Sequence, residues 1–188
     1  MNKHVPKVAL VIGHSYKKQG SVSKYVKYSE WELNEKIVWP LASSLLNTKK
    51  IIPIIVYREH GYLRLPNEIN AHKPDLIVSH HFNAFSNENA NGTEVLYYHT
   101  SDTSKHIASI FQKKIIDALG TTNRELRPIK DNKRGARVLR DTKAPCVLLE
   151  PIFITNVNDV VKFSKNVRKY EIALKNAIIE SLKWRNLL

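Results

Sequence analysis

Three apolar runs in this chain end on residues able to bind a metal or carry a proton. Val8-Ala9-Leu10-Val11-Ile12 leads into Gly13-His14, the run from Asp75 leads into Ser79-His80-His81-Phe82-Asn83, and Val147-Leu148-Leu149 leads into Glu150-Pro151. A fourth candidate, Glu30, opens the first long helical pattern. Two imidazoles and one carboxylate around a zinc ion leave a fourth position for water, the layout of catalytic zinc sites. A second carboxylate, not bound to the metal, can take a proton from that water and pass it to a leaving group. The chain supplies this inventory as His14, Glu30, one of His80 and His81, and Glu150. Alternation along a strand sends His80 and His81 to opposite faces, so at most one can meet a shared metal. Taken singly, these residues also have ordinary readings. A His after a strand is commonly a hydrogen-bonded structural residue, and an acid at a helix start is favoured by the helix dipole. An acid ending an apolar run is less ordinary, because a buried carboxylate needs a partner.

The elements that must position these residues alternate between strand and helix patterns. Lys7 to Ile12 reads as a buried strand, followed by a polar loop from Ser15 to Ser29. Leu33, Ile37, Leu41 and Leu45 recur at four-residue spacing and predict a helix over Glu30 to Leu46, which Pro40 should kink or weaken. Ile51 to Tyr57 reads as a strand, edge-like because of Pro53. Asp75 to Phe82 is a strand, and after the Asn91-Gly92 turn so is Thr93 to His99. Ser101 or Thr103 can cap a helix closed by Gly120. Thr121 to Lys133 reads as a polar, basic loop, Arg137 to Arg140 and Pro145 to Glu150 as two final strands, and Asn158 to Leu187 as helix in one or two pieces. This predicts an α/β fold: one domain with a mostly parallel twisted sheet of about six strands flanked by helices. In such sheets ligands bind at the carboxyl ends of the strands, where the His and Glu candidates stand.

A length of 188 residues suits a single domain, with no repeat, linker or separate wall-binding module in residues 1–188. The lone cysteine, Cys146, excludes an intrachain disulfide and sits in an apolar run, as an inert buried thiol would. The opening apolar run is too short for a secretory signal and no stretch reaches transmembrane length, so the expectation is synthesis in the cytoplasm and release by another system. The net charge of +13 favours polyanionic partners such as an acidic wall, anionic lipid or nucleic acid. Arg124, Arg127, Lys130, Lys133, Arg134 and Arg137 hold much of it, on a loop that either flanks the groove or forms a solvated face. The basic segment from Lys162 to Leu188 reads first as a helix packed on the sheet, and second as a contact for anionic membrane.

From about Lys7 to Leu182 the chain resembles the zinc-dependent N-acetylmuramoyl-L-alanine amidase family (the type 3 amidase domain), including phage lysis enzymes. The resemblance rests on Val8 to His14; on Glu30-Trp31-Glu32-Leu33-Asn34; on Ser79-His80-His81-Phe82-Asn83-Ala84; on Gly92 to Tyr97; and on Pro145 to Glu150 with Phe153 and Asn156. It implies His14, Glu30 and His81 as ligands of one catalytic zinc ion, with Glu32 as the rival of Glu30. It implies Glu150 as the acid/base that serves water attack and protonates the leaving amine of L-alanine. The substrate would be peptidoglycan, cut between N-acetylmuramic acid and the stem peptide, in the setting of phage-type host-cell lysis. The chain departs from the family in two places. Ser15 to Gly20 replaces a Gly-Gly-x-Asp-x-Gly run, and Leu65 stands where an Arg precedes the Asn, here Asn70, of the helix before the third strand; neither change touches the residues implied as zinc ligands. No substrate-binding residue is assigned. The rival readings are a zinc peptidase cutting within the stem peptide, and a basic non-catalytic module binding cell wall or nucleic acid. Zinc-finger, RNP-type and helix-turn-helix signatures are missing for the last.

Overall fold

A computed structural model describes residues 4–131, 133 and 135–188. Met1 to Lys3 and Arg134, one of the cations of the basic loop, lie outside the described residues. The elements run β1 (Lys7–Ile12), α1 (Glu30–Leu46), β2 (Ile52–Val56), α2 (Leu65–Ala71), β3 (Leu76–His80), β4 (Thr93–Tyr98), α3 (Asp102–Leu119), β5 (Asn123–Ile129), α4 (Ala136–Asp141), β6 (Cys146–Glu150) and α5 (Val157–Trp184). They build a six-stranded sheet in the order β2-β1-β3-β6-β4-β5. Every pairing is parallel except β4 with β6. The expected α/β domain with a mostly parallel sheet is therefore present.

Period-two alternation divides the strand side chains between two unequal layers. Val8, Leu10, Ile12, Val78, Val95 and Val147 join the larger core with residues of the long helices α1, α3 and α5. Ala9, Val11, Ile77 and Leu148 face the other way, onto the short helices α2 and α4. Short helices cover little area, so that second face keeps an open cleft.

Local chemistry sets the helix bounds. Ser29 caps α1 in a reciprocal capping box with Glu32, whose Oε2 accepts the Ser29 N–H at 2.8 Å. Two orphan donors are satisfied at once, and Glu32 is thereby a structural residue. Pro40 lies inside α1 without ending it. The Asn156 side chain caps α5, and the buried Asp159 carboxylate accepts the Gly92 N–H at 2.7 Å and the Phe153 N–H at 3.0 Å. Phe153 and Asn156 thus belong to a joint that fixes the end of β6, and α5 is one continuous helix.

Two expectations are corrected. The Arg137 to Arg140 segment is the helix α4, entered through Gly135 at φ 83° and anchored by buried Val138 and Leu139. A four-residue run cannot separate a period of 2 from one of 3.6. The supposed loop from Thr121 to Lys133 contains β5, a polar edge strand with Pro128 and a register shift opposite Thr93/Val95. Edge strands carry charge and proline to block further pairing, which disguises them as loop. Helix α2, absent from the periodicity reading, starts at Leu65-Pro66; its Asn70 donates to the Asp141 carbonyl at 3.0 Å and accepts the Lys143 N–H at 2.9 Å, tying α2 to α4.

Candidate metal centre

Parallel strands deliver their carboxyl ends to one edge, and the chemistry collects there. His14 follows β1 in the left-handed region at φ 67°. For a residue with a Cβ this costs about 1–2 kcal/mol, a strain tolerated at sites that need a particular aim. Glu30 is the first residue of α1, and His81 follows β3. His14 Nε2 lies 3.0 Å from Glu30 Oε2, and His81 Nδ1 lies 3.0 Å from Glu30 Oε1. The rings of His14 and His81 meet edge-on with centroids 5.2 Å apart. Among the described residues this is the one cluster of three such side chains whose donor atoms all lie within 4.8 Å of one another.

The cluster fits a zinc ion on its own chemistry. His14 Nε2 is buried and touches the carboxylate, yet is not aligned for a hydrogen bond with it. Nitrogen and oxygen donors each about 2.0–2.2 Å from a shared ion fall within such a spread. The Glu30 side chain is wholly buried. Burial pushes its pKa up, but the facing imidazoles of His14 and His81 outweigh this and hold the carboxyl well below the usual range. Its oxygens also accept the Ser21 N–H at 3.1 Å and the Phe82 N–H at 3.2 Å. An ionised carboxylate beside two imidazoles is one of the donor sets that bind zinc.

His80 is turned away from this cluster. Asn34 Nδ2 donates to the Gly13 carbonyl at 3.2 Å, which fixes the amide's orientation. Its Oδ1 therefore faces His80 Nδ1, at 2.8 Å, and that nitrogen must carry the proton. His80 Nε2 is then an acceptor for the Tyr170 hydroxyl at 2.7 Å. Burial first, and the charge of His81 second, push the His80 pKa down to about 3, so the ring is neutral. Burial, helped by the charge of Glu150, raises the Tyr170 phenol well above its usual value, so it remains a donor. This buried chain joins the residues preceding His14 and His81 to α1 and α5, and so sets the aim of both.

Glu150 ends β6 and lines the same cleft, of ≈ 1130 Å³, as His14 and His81. Directly opposite it on β4 stands Glu94. The Glu94 carboxylate accepts from Asn83 at 2.9 Å, Arg124 at 2.9 Å and Arg127 at 3.0 Å, so its charge is neutralised locally. The cleft continues past Arg127, Lys133 and Arg137, which places part of the basic loop on the groove.

Two glycines that the sequence reading left without a role complete the cradle. A Cβ on Gly13 would lie 2.7 Å from His81 Nδ1, and one on Gly20, at φ +78°, would lie 2.6 Å from Glu30 Oε2. The hints of this in the sequence are Gly13, within the Val8 to His14 motif, and Gly20 at the end of the following loop. The structure therefore gathers His14, Glu30, His81 and Glu150 on one edge, places His80 in the core and makes Glu32 a cap.

A family model described as N-acetylmuramoyl-L-alanine amidase matches residues 8–183. The N-acetylmuramoyl-L-alanine amidase LytC of Bacillus subtilis is 27% identical over 166 residues, 86% of this chain and 32% of LytC. The chain thus spans about a third of the length of the curated relatives it matches. The catalytic domain of CwlV, an N-acetylmuramoyl-L-alanine amidase from Bacillus (Paenibacillus) polymyxa var. colistinus, superposes with a TM-score of 0.80 at 25% identity, over 95% of this chain and 98% of that one. An N-acetylmuramoyl-L-alanine amidase from Clostridium difficile 630 gives 0.77 at 27% identity, over 95% of each chain.

Proposed function

The chain belongs to the N-acetylmuramoyl-L-alanine amidase family, and on that premise we propose that it hydrolyses the amide between N-acetylmuramic acid and the L-alanine of the peptidoglycan stem peptide. The observation that carries this reading is the convergence of His14, Glu30 and His81 on one strand edge, with Glu150 in the same cleft. His14, Glu30 and His81 would hold one zinc ion and leave a position open. When bound, zinc makes water more acidic and polarises a carbonyl. Glu150 takes the proton of the attacking water and delivers it to the departing L-alanine nitrogen, so the products are a lactyl carboxylate and a free peptide amine. Such proton transfer contributes roughly 10²–10⁴-fold to rate. The His80–Asn34–Tyr170 chain keeps the neighbouring ligands in place without itself titrating.

The net charge of +13 draws the protein to the carboxylates and phosphates of a bacterial wall, in keeping with peptidoglycan as substrate. Lysis of a host cell is the biological setting this chemistry suits, as the sequence resemblance suggested. No helix among the described residues is long and apolar enough to cross a membrane. Digestion of purified sacculi, with products identified by mass, tests the reading. Stem peptides beginning with free L-alanine, lost on chelation and restored by zinc, are expected. Chelator-sensitive cuts inside the peptide would instead make the protein a peptidase.

A further inference from the structure

Beside the metal cleft lies a second pocket of ≈ 440 Å³, walled by Tyr16, Trp31 and Tyr57 and rimmed by Lys17, Arg58 and Glu59. It is continuous with the cleft, sharing Ser15, Lys17, Arg58 and Glu59 with it. We infer that this aromatic shelf is a saccharide subsite, which seats a pyranose ring of the glycan strand while the scissile amide lies at the metal centre; the inference rests on the amidase reading above.

The shelf is presented rigidly. Ser15 and Lys18 exchange backbone hydrogen bonds of 3.1 and 3.0 Å, closing a tight turn that carries Tyr16. The Tyr16 and Trp31 rings meet at 77° with centroids 5.7 Å apart, and Tyr16 remains 74% exposed. Tyr57 is fixed through its hydroxyl, which donates to Glu35 at 2.7 Å and accepts from Trp39 at 2.9 Å. An isolated exposed Tyr is ordinary. A turn-locked Tyr set against a Trp inside a pocket that opens on the reaction cleft is a different object.

The chemistry selects sugar over peptide. A β-linked pyranose with equatorial substituents shows axial C–H groups on both ring faces, and these carry the partial positive charge that the negative face of an aromatic ring attracts. Its hydroxyl and acetamido groups then point outward, toward the Lys17, Arg58 and Glu59 rim. The sheet order places the two arms of the substrate. The shelf belongs to the β2–β1 end, the metal cluster to the ends of β1 and β3, Glu150 to β6, and the Arg127 arm to β5. A substrate whose scissile bond lies at the cluster must send its two halves toward opposite ends. The carboxylates of a stem peptide match the cationic arm, which leaves the aromatic arm for the glycan.

The test uses peptide-free glycan strands of alternating N-acetylglucosamine and N-acetylmuramic acid, which offer no amide to cut. Binding is followed by tryptophan fluorescence for the wild-type chain, Tyr16→Ala and Tyr16→Phe, with circular dichroism to confirm that each variant folds. Wild type and Tyr16→Phe should bind alike, and Tyr16→Ala should bind roughly three- to tenfold more weakly, as loss of one ring stack predicts. Equal binding by Tyr16→Ala, absence of binding by the wild type, or quenching by free stem peptide in place of glycan would overturn the subsite. Sacculus digestion run alongside separates the two ideas: amide cleavage without glycan binding overturns the shelf alone, and glycan binding without amide cleavage overturns the amidase reading alone.

Discussion

Replacing Gly20 by Ala should weaken zinc binding without unfolding the protein, and the size of the effect follows from two separable terms. The first is backbone strain, because Gly20 sits at φ +78°. A side chain there costs about 1–2 kcal/mol. The second is a collision. The new methyl would stand 2.6 Å from Glu30 Oε2 and 2.7 Å from two carbons of the His14 ring, and ordinary contact begins at 3.4 Å. Retreat to that distance is several times the tolerance of about 0.2 Å for a metal–ligand bond. Glu30 cannot yield freely, because its oxygens are held by the Ser21 and Phe82 amides and by His81. Disturbing groups that orient metal ligands typically costs about 10–100-fold in affinity. Gly120→Ala supplies the control: it has a similar φ of +66° and nothing within 4 Å of the added methyl. In the metal-free state both variants should lose thermal stability to backbone strain, Gly20→Ala the more because of its collision. Only Gly20→Ala should lose zinc in competition with a chromophoric chelator. Equal zinc affinity in the two variants would refute the argument that this loop forms the wall of the metal site.

Glu150→Gln should retain one zinc per chain by elemental analysis while losing roughly 10²–10⁴-fold in turnover on sacculi; normal turnover would remove Glu150 from the proton path. His81→Ala should lose zinc and activity together. His80→Ala should keep a zinc site of weakened affinity and lose thermal stability, because it strands the buried Asn34 and Tyr170 polar groups, at about 1–3 kcal/mol for each unsatisfied group; complete loss of zinc with unchanged stability would exchange the roles of the two histidines. Cys146, fully buried and with its thiol pushed up to about 12 by desolvation, should resist thiol reagents at pH 8 until the chain is denatured, and rapid native labelling would contradict its place in the core.

The parts of this molecule that were legible in its sequence share a physical cause. Strands buried on both faces read as unbroken apolar runs, and their carboxyl ends locate a ligand site in a parallel sheet, so His14, the His80-His81 pair and Glu150 stood out from β1, β3 and β6, and the family resemblance singled out His81. Alternation predicted that only one of His80 and His81 could serve, and the fold sends His80 with Leu76 and Val78 toward α1 and α5. The illegible parts carry weak periodic signals. Strand β5 is an edge strand rich in charge, and α4 makes less than two turns. Gly13 and Gly20 matter for what they lack, which no motif of polar residues reveals.

The unequal faces of the sheet explain why the site can be both rigid and open. On the α1/α3/α5 face, the Gly13–Asn34–His80–Tyr170 chain runs through the largest core and fixes the backbone from which His14 and His81 project. Glu150 and Glu94 stand on the opposite face, where two short helices leave the cleft uncovered. The geometry of the proposed zinc ligands is thus set by one layer and access by the other. Changes in the loops around α2 and α4 can alter which substrate enters without moving the ligands, whereas a change at Asn34 or Tyr170, remote from any substrate, should disturb the metal. That contrast can be measured: Tyr170→Phe removes only the hydroxyl that His80 accepts from, leaving the ring to pack, and should lower zinc affinity together with stability, whereas Lys133→Ala on the cleft rim should alter KM for sacculi and leave zinc affinity alone. The opposite pattern would mean that the exposed layer, not the buried one, holds the ligands in place.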